Sequence, residues 1–215
     1  MSFWDYVTSR WDLLAFETYQ HASMVFQCVL AATIIGLAVA IASYRTPWLA
    51  NLATGTASVI FTVPSFALFG LMIPLFGLGV VPSVVALTLY ALLPIIRNCI
   101  VGLAGVDPAM VDAARGMGMN RAMVLARVEL PLAWPVILTG IRVSTMLTMG
   151  VAAIAAYVSG PGLGDEIFSG LARLGGANAL NAALAGTIGI ILLALLFDAA
   201  YILIGRLTTS RGLRV

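Results

Sequence analysis

The chain has 215 residues, 61% of them hydrophobic and 9% charged, with a formal net charge of +2. Soluble domains carry about a quarter charged residues, so this chain cannot cover a water-facing surface and belongs in a bilayer. At roughly 20 residues per crossing there is room for about five or six spans and none for a sizeable soluble domain.

Residues 1–20 lack the basic start of a secretory signal and carry Asp5, Asp12 and Glu17. Trp4, Val7, Trp11 and Leu14 recur at helical spacing, which predicts a helix lying in the membrane interface, where tryptophan is favoured. A first span is expected over 22–43, free of charge. Arg45 and Pro47 mark a short link, and a second span is expected over 52–75. "FGLGVVP" (76–82) reads as a tight turn leading into a third span over 80–100. Arg97, three residues past Pro94, is placed to snorkel to the inner interface. A polar segment over 107–130 interrupts the hydrocarbon pattern, and Pro131 opens a fourth span over 132–158. Residues 159–182 form a Gly-rich loop with a small amphipathic piece, "IFSGLARL". A last span over 183–205 is followed by a basic tail. The expected fold is therefore an all-α polytopic membrane protein of about five transmembrane helices in one transmembrane domain.

All the basic residues are arginine. Arg45, Arg97, Arg115, Arg121, Arg127, Arg142, Arg206, Arg211 and Arg214 fall on one side or at that end of a span, against Arg10 and Arg173 on the other. The positive-inside rule then puts the N-terminus outside, the C-terminus inside and residues 101–131 in the cytoplasm. Cys28 and Cys99 sit in apolar stretches and read as small buried residues rather than a disulfide or metal site.

The interrupting segment, "VDAARGMGMNRAMVLARVELP" (111–131), is readable in detail. Asp107 before Pro108 is a helix start, a capping carboxylate followed by a proline whose missing N–H costs nothing there. Gly118 can take the left-handed conformation that closes a helix. Asn120 can cap a second short helix running through Val128, with Arg127 near its negative end. Leu130 and Pro131 are then expected to turn the chain into the membrane. Ala113 and Ala114 leave one helix side nearly bare, which lets another protein approach the backbone. By spacing alone, a solvated loop without special role fits as well.

The same stretch resembles a loop of the membrane subunits of binding-protein-dependent ABC importers. The family pattern is Glu-Ala-Ala, three residues, Gly, nine residues, Ile, one residue, Leu-Pro. Here Asp112, Ala113, Ala114, Gly118, Val128, Leu130 and Pro131 stand at that spacing, with Asp for Glu and Val for Ile as departures. "TVPSFALFGLMIPLFGLG" (62–79), "YALLPIIRNCIVGLAGVDPAM" (90–110), "GIR" (140–142) and "GPGLGDEIFSGL" (160–171) resemble permeases of the osmoprotectant group, which import glycine betaine, carnitine or choline. The resemblance implies the type I importer permease fold, in a bacterial cytoplasmic membrane. It also implies that the loop docks as a coupling helix on a separate cytoplasmic ATPase, present in two copies, which binds the ATP and Mg. Asp112, Ala113, Ala114 and Gly118 are the implied coupling residues, and Val128, Leu130 and Pro131 complete the motif, with Leu130 and Pro131 transmitting the motion into the fourth span. A second permease subunit, identical or paralogous, and an external substrate-binding protein complete the implied assembly, which works by alternating access and contains no nucleic acid. In this family an aromatic cage on the external protein holds the quaternary ammonium.

The remaining candidates are less sharply marked. "GPGLGD" names Gly160, Gly162, Gly164 and Asp165, which the resemblance places at the outer mouth; a plain turn is the alternative. Thr62, Pro64 and Ser65 in the second span and Thr148 and Tyr157 in the fourth are pore-lining candidates, or equally helix-packing contacts. The chain has no G-x-x-x-x-G-K-[ST] and no lysine to meet phosphates, so no cofactor is expected on it and it is not read as an enzyme. His21 is the only histidine, which rules out an H-E-x-x-H zinc site, and no metal is expected; it reads as a lipid headgroup contact. Asp198, deep in the fifth span, reads either as the partner of Arg142 or Arg206 or as the proton site of a secondary carrier. A permease for another small solute, such as an amino acid, is the nearer alternative.

Overall fold

A computed structural model describes residues 1–209, so Arg211, Arg214 and the end of the basic tail lie outside the described residues. The described residues form helices and no strand. Helix α1 (Phe3–Ser9) opens on a capping box, in which Asp5 N–H donates to Ser2 Oγ at 3.2 Å and Ser2 N–H donates to Asp5 Oδ2 at 3.1 Å. Arg10 breaks the helix, and α2 (Trp11–Ser43) then runs for 33 residues. Of the helix expected over 1–20, only residues 3–9 form a separate element, and residues 11–20 belong to α2, the first long apolar helix. Apolar residues keep the same spacing on both sides of Arg10, so periodicity does not mark the break. Tyr6 and Leu14 pack with Ala182 and Ala185, while Trp4 and Trp11 point outward.

The span expected over 52–75 is not one helix. Helix α3 (Pro47–Thr62) and helix α4 (Ser65–Phe76) meet at 94°. Pro64 has no N–H and forces Val63 out of the helical region, to ψ 128°. The break frees the Val63 carbonyl, which accepts a hydrogen bond from the Tyr90 hydroxyl. Gly77 (φ +76°) and Gly79 (φ +111°) make the turn into α5 (Val80–Ala104). Helix α6 (Pro108–Gly116) and the short α7 (Arg121–Val124) come next. A π-turn (Leu125–Glu129) joins α7 to α8 (Leu130–Ala152), which tightens into a 3₁₀ segment (Ala153–Val158). Helix α9 (Gly164–Ala172) lies in the loop before α10 (Ala179–Thr208), which closes the described chain. By length and composition, α2, α5, the 121–158 stretch and α10 can each cross a membrane, and the bent α3–α4 pair makes a fifth crossing if it is one span.

The core lies where α2, α5 and α8 meet. Lipid tails are as apolar as leucine, so these helices associate through close packing and hydrogen bonds rather than the hydrophobic effect. Gly140 on α8 sits where a Cβ would lie 2.5 Å from Asn98 Cβ and 3.0 Å from the Pro94 carbonyl of α5. One turn further on, Ser144 Oγ donates to Ala91 O at 2.8 Å. Helix α10 rests on α9 and α8 with most of its apolar length exposed, as expected of a face turned to lipid or to another subunit.

Candidate functional site

The polar segment is built as a rigid elbow. Asp107 Oδ1 accepts from the Ala109 N–H at 2.8 Å and caps α6, with Pro108 at its first position. Gly118 takes φ +84° and ends the turn, its N–H donating to Arg115 O at 2.9 Å. Asn120 Oδ1 then accepts from the Met123 N–H at 2.9 Å to start α7. Beyond α7 the structure corrects the expected geometry, because the chain does not turn at Leu130 and Pro131. It passes through the π-turn, whose extra width lets the Leu130 N–H donate to Leu125 O, and continues as α8. A proline within a helix removes one bond and crowds the carbonyl four residues back; widening the turn before Pro131 relieves both. The segment from Arg121 to Ala152 is therefore one continuous lever.

The motif residues divide by exposure. Asp112, Ala113, Gly118 and Pro131 are exposed, and Asp112 is held only by a surface pair with Arg115 at 3.6 Å. Ala114 is 1% exposed and packs inward, and Val128 and Leu130 are half-buried. The exposed side of the elbow thus carries the Asp112 carboxylate and the Ala113 methyl group on α6 and Gly118 just beyond its end, flanked by exposed Met110 and Met117.

A carboxylate clamp holds this lever from behind. Glu129, the last residue of the π-turn, is 5% exposed. Its Oε2 accepts from the Tyr44 hydroxyl at 2.7 Å and from Arg45 Nη2 at 2.9 Å. The Arg45 guanidinium also lies over the Tyr44 ring, 5.0 Å from its centroid. Burial, and then the Glu129 carboxylate, push the Tyr44 hydroxyl up to about 12, so it stays a donor at physiological pH. An analogous clamp lies at the opposite end of α2. The Tyr6 hydroxyl donates to Glu166 Oε2 at 2.5 Å, Arg10 Nη1 donates to the Tyr6 oxygen at 2.6 Å, and Arg10 pairs with Glu166 Oε1 at 3.3 Å. Glu166 is 2% exposed, and burial followed by its charge raises the Tyr6 hydroxyl too. Neither clamp stands out in the sequence. The one signal is scarcity, since the chain has only nine acids and a glutamate among apolar neighbours must be paired.

The pore and outer-loop candidates separate as well. Thr62, Pro64 and Ser65 gather at the α3–α4 break, where Thr62 and Pro64 are exposed. Tyr157 is exposed and meets Phe66 edge-on at 5.3 Å. Thr148 lies apart from them: it is 1% exposed, inside the helix core, and its hydroxyl has no hydrogen-bond partner among the described residues. Of the four outer-loop candidates only Asp165 reaches the surface, and Gly160, Gly162 and Gly164 are buried where other elements approach too closely for a side chain. A Cβ on Gly162, for example, would lie 2.9 Å from His21 Nδ1. His21 is likewise no headgroup contact. It is fully buried with Nε2 3.1 Å from Met149 O, which requires the proton on Nε2.

Asp198 is bound to Arg142, with Nε at 2.6 Å from Oδ1 and Nη2 at 2.8 Å from Oδ2. Arg142 also lines a groove of about 720 Å³ between α8 and α10, together with Thr139, Tyr201 and Arg206. Both carboxylate oxygens are engaged, which disfavours a proton-carrying role. Removing one partner strands a charge at membrane depth. Asp198→Ala is therefore expected to lower the yield of monodisperse protein in detergent, and Arg142→Met with Asp198→Leu to restore it. A single variant as well behaved as wild type would contradict this.

Similarity to known proteins points in one direction. Residues 32–209 match the family model described as the binding-protein-dependent transport system inner membrane component. The osmoprotectant import permease protein OsmW of Salmonella typhimurium is 39% identical over 214 residues, covering 97% of this chain and 98% of the relative. The carnitine transport permease protein OpuCB of Listeria monocytogenes is 41% identical, covering 74% and 72%. The choline transport system permease protein OpuBB of Bacillus subtilis is 39% identical, covering 74% and 73%. Among solved structures, the fold is similar to the inward-facing MetNI methionine ABC transporter, with a TM-score of 0.81 at 22% identity over 92% of this chain and 97% of that one.

Proposed function

The chain belongs to the family of binding-protein-dependent transport system inner membrane components, and from that premise we propose that it is the permease subunit of an ATP-driven importer of a quaternary-ammonium osmoprotectant. It is a multi-pass inner-membrane protein and a transport subunit. The observation that carries the coupling role is the exposure of Asp112 and Ala113 on a capped helix and of Gly118 in the turn that follows it, ahead of a lever that continues unbroken into α8. Through Asp112, Ala113 and Gly118 the segment docks on a separate ATPase, two copies of which bind ATP and Mg and hydrolyse the nucleotide. Ala114, Val128, Leu130 and Pro131 seat the elbow and pass its movement into α8. A second permease subunit, identical or paralogous, encloses an alternating-access path, and an external binding protein delivers the substrate. Thr62, Pro64, Ser65 and Tyr157 line the path at the broken helix, and Asp165 contributes to the outer mouth.

Substrate class rests on the relatives at 39–41% identity, whose names carry osmoprotectant, carnitine and choline transport. Similarity to the methionine transporter supports the fold alone. Reconstituted with its ATPase in proteoliposomes, the permease is expected to show ATP hydrolysis stimulated by binding protein loaded with glycine betaine, carnitine or choline, and not with methionine. Stimulation by an amino acid alone would replace the substrate assignment while keeping the importer.

A further inference from the structure

The two Tyr–Arg–Glu clamps flank the same helix. Arg10 stands immediately before α2 with Tyr6 one turn earlier in α1, and Tyr44 and Arg45 stand immediately after α2. Each pair grips a buried glutamate on a different element, Glu166 on α9 and Glu129 in the π-turn of the coupling lever. At 33 residues α2 is about 50 Å long, enough to join the two faces of the bilayer. Between its ends α2 meets α5 and α8 mainly through apolar and small side chains. Along that contact His21 Nε2 lies 3.1 Å from Met149 O of α8, and Gly36 leaves no room for a side chain against Ile95 of α5. A carboxylate held by a hydroxyl and a guanidinium away from water is directional and is lost as a unit.

We propose that α2 is a strut clamped at both ends, carrying displacement of the coupling lever at Glu129 to α9 at Glu166. Tyr6, Arg10, Tyr44 and Arg45 are positioning residues that touch neither nucleotide nor substrate. This inference rests on the importer reading above. Mere staples would also hold the fold, but two staples act independently, whereas two clamps on one strut act in series.

The test uses Tyr6→Phe, Tyr44→Phe and the double variant, each nearly isosteric. The permease is reconstituted with its ATPase and binding protein, and ATP hydrolysis and uptake of radiolabelled glycine betaine, choline or carnitine, whichever wild type accepts, are measured together. Each single variant is expected to hydrolyse ATP within about twofold of wild type while uptake per ATP falls about tenfold, the scale of one hydrogen bond to a charged group. The double variant is expected to be no worse than the worse single. Distant sites ordinarily add, so this non-additivity is the signature of the strut. Uptake per ATP unchanged in the singles, hydrolysis and uptake falling together, or single losses that multiply in the double would each overturn it. Wild type without ATP-dependent uptake would instead overturn the importer reading, and is seen before any variant is made.

Discussion

Ala113→Trp is expected to strip the partner ATPase from the permease. Ala113 lies on the exposed face of α6, so the indole meets only solvent in the free subunit and the fold survives. In the docked state that volume overlaps the groove wall. Affinity should fall on the order of 100-fold, the scale of losing an interface hot spot. Co-purification in detergent measures this directly, with thermal unfolding of the permease as the control. Ala114→Trp makes the contrast. Ala114 packs inward at 1% exposure, so its enlargement should lower the stability of the elbow itself. ATPase binding that survives Ala113→Trp would remove the α6 face from the coupling site.

Gly140→Leu is expected to destabilise the helix core severely. The first added carbon would stand 2.5 Å from Asn98 Cβ and 3.0 Å from the Pro94 carbonyl, at the crossing of α5 and α8. Neither neighbour can yield cheaply, because Pro94 belongs to the helix backbone and Asn98 is tied to it by a 2.8 Å bond from Nδ2 to Pro94 O. The cost is expected at about 3 kcal/mol or more, which for a chain of this size lowers Tm by about 6–12 °C. Gly150 lies further along the same helix, where an added Cβ would meet nothing within 4 Å. Gly150→Ala should leave Tm of the isolated subunit unchanged or slightly raised, since alanine favours helix by about 1 kcal/mol. Equal losses at both positions would mean that the α5–α8 crossing is not what Gly140 protects.

Much of the architecture is legible in the sequence because the bilayer simplifies the problem. Long apolar runs must be helices when no water can satisfy the backbone, and Asp107, Gly118 and Asn120 mark the elbow through local chemistry. Other features depend on tertiary contact. The bend at Val63–Pro64 is marked in the sequence by Pro64 alone, and prolines also sit inside apolar spans, so the α3–α4 pair reads as one span. Thr148 and His21 look like surface candidates because a membrane helix is apolar on its lipid face and its core face alike, and periodicity cannot tell the two apart. The Glu129 and Glu166 clamps each join residues more than 80 positions apart, and no local pattern announces them. The π-turn before Pro131 depends on how α8 continues, whereas the proline alone suggests a corner.

The proposed coupling of this permease through residues 107–130 to an ATPase that drives uptake makes a direct demand on transport. It is tested most directly by measuring radiolabelled glycine betaine, carnitine and choline uptake into proteoliposomes holding permease, ATPase and binding protein, with and without ATP. Uptake of at least one of them is expected to require ATP and to vanish with Ala113→Trp, while the ATPase alone still hydrolyses nucleotide. Uptake driven by an ion gradient without ATP, or undiminished by Ala113→Trp, would contradict this coupling.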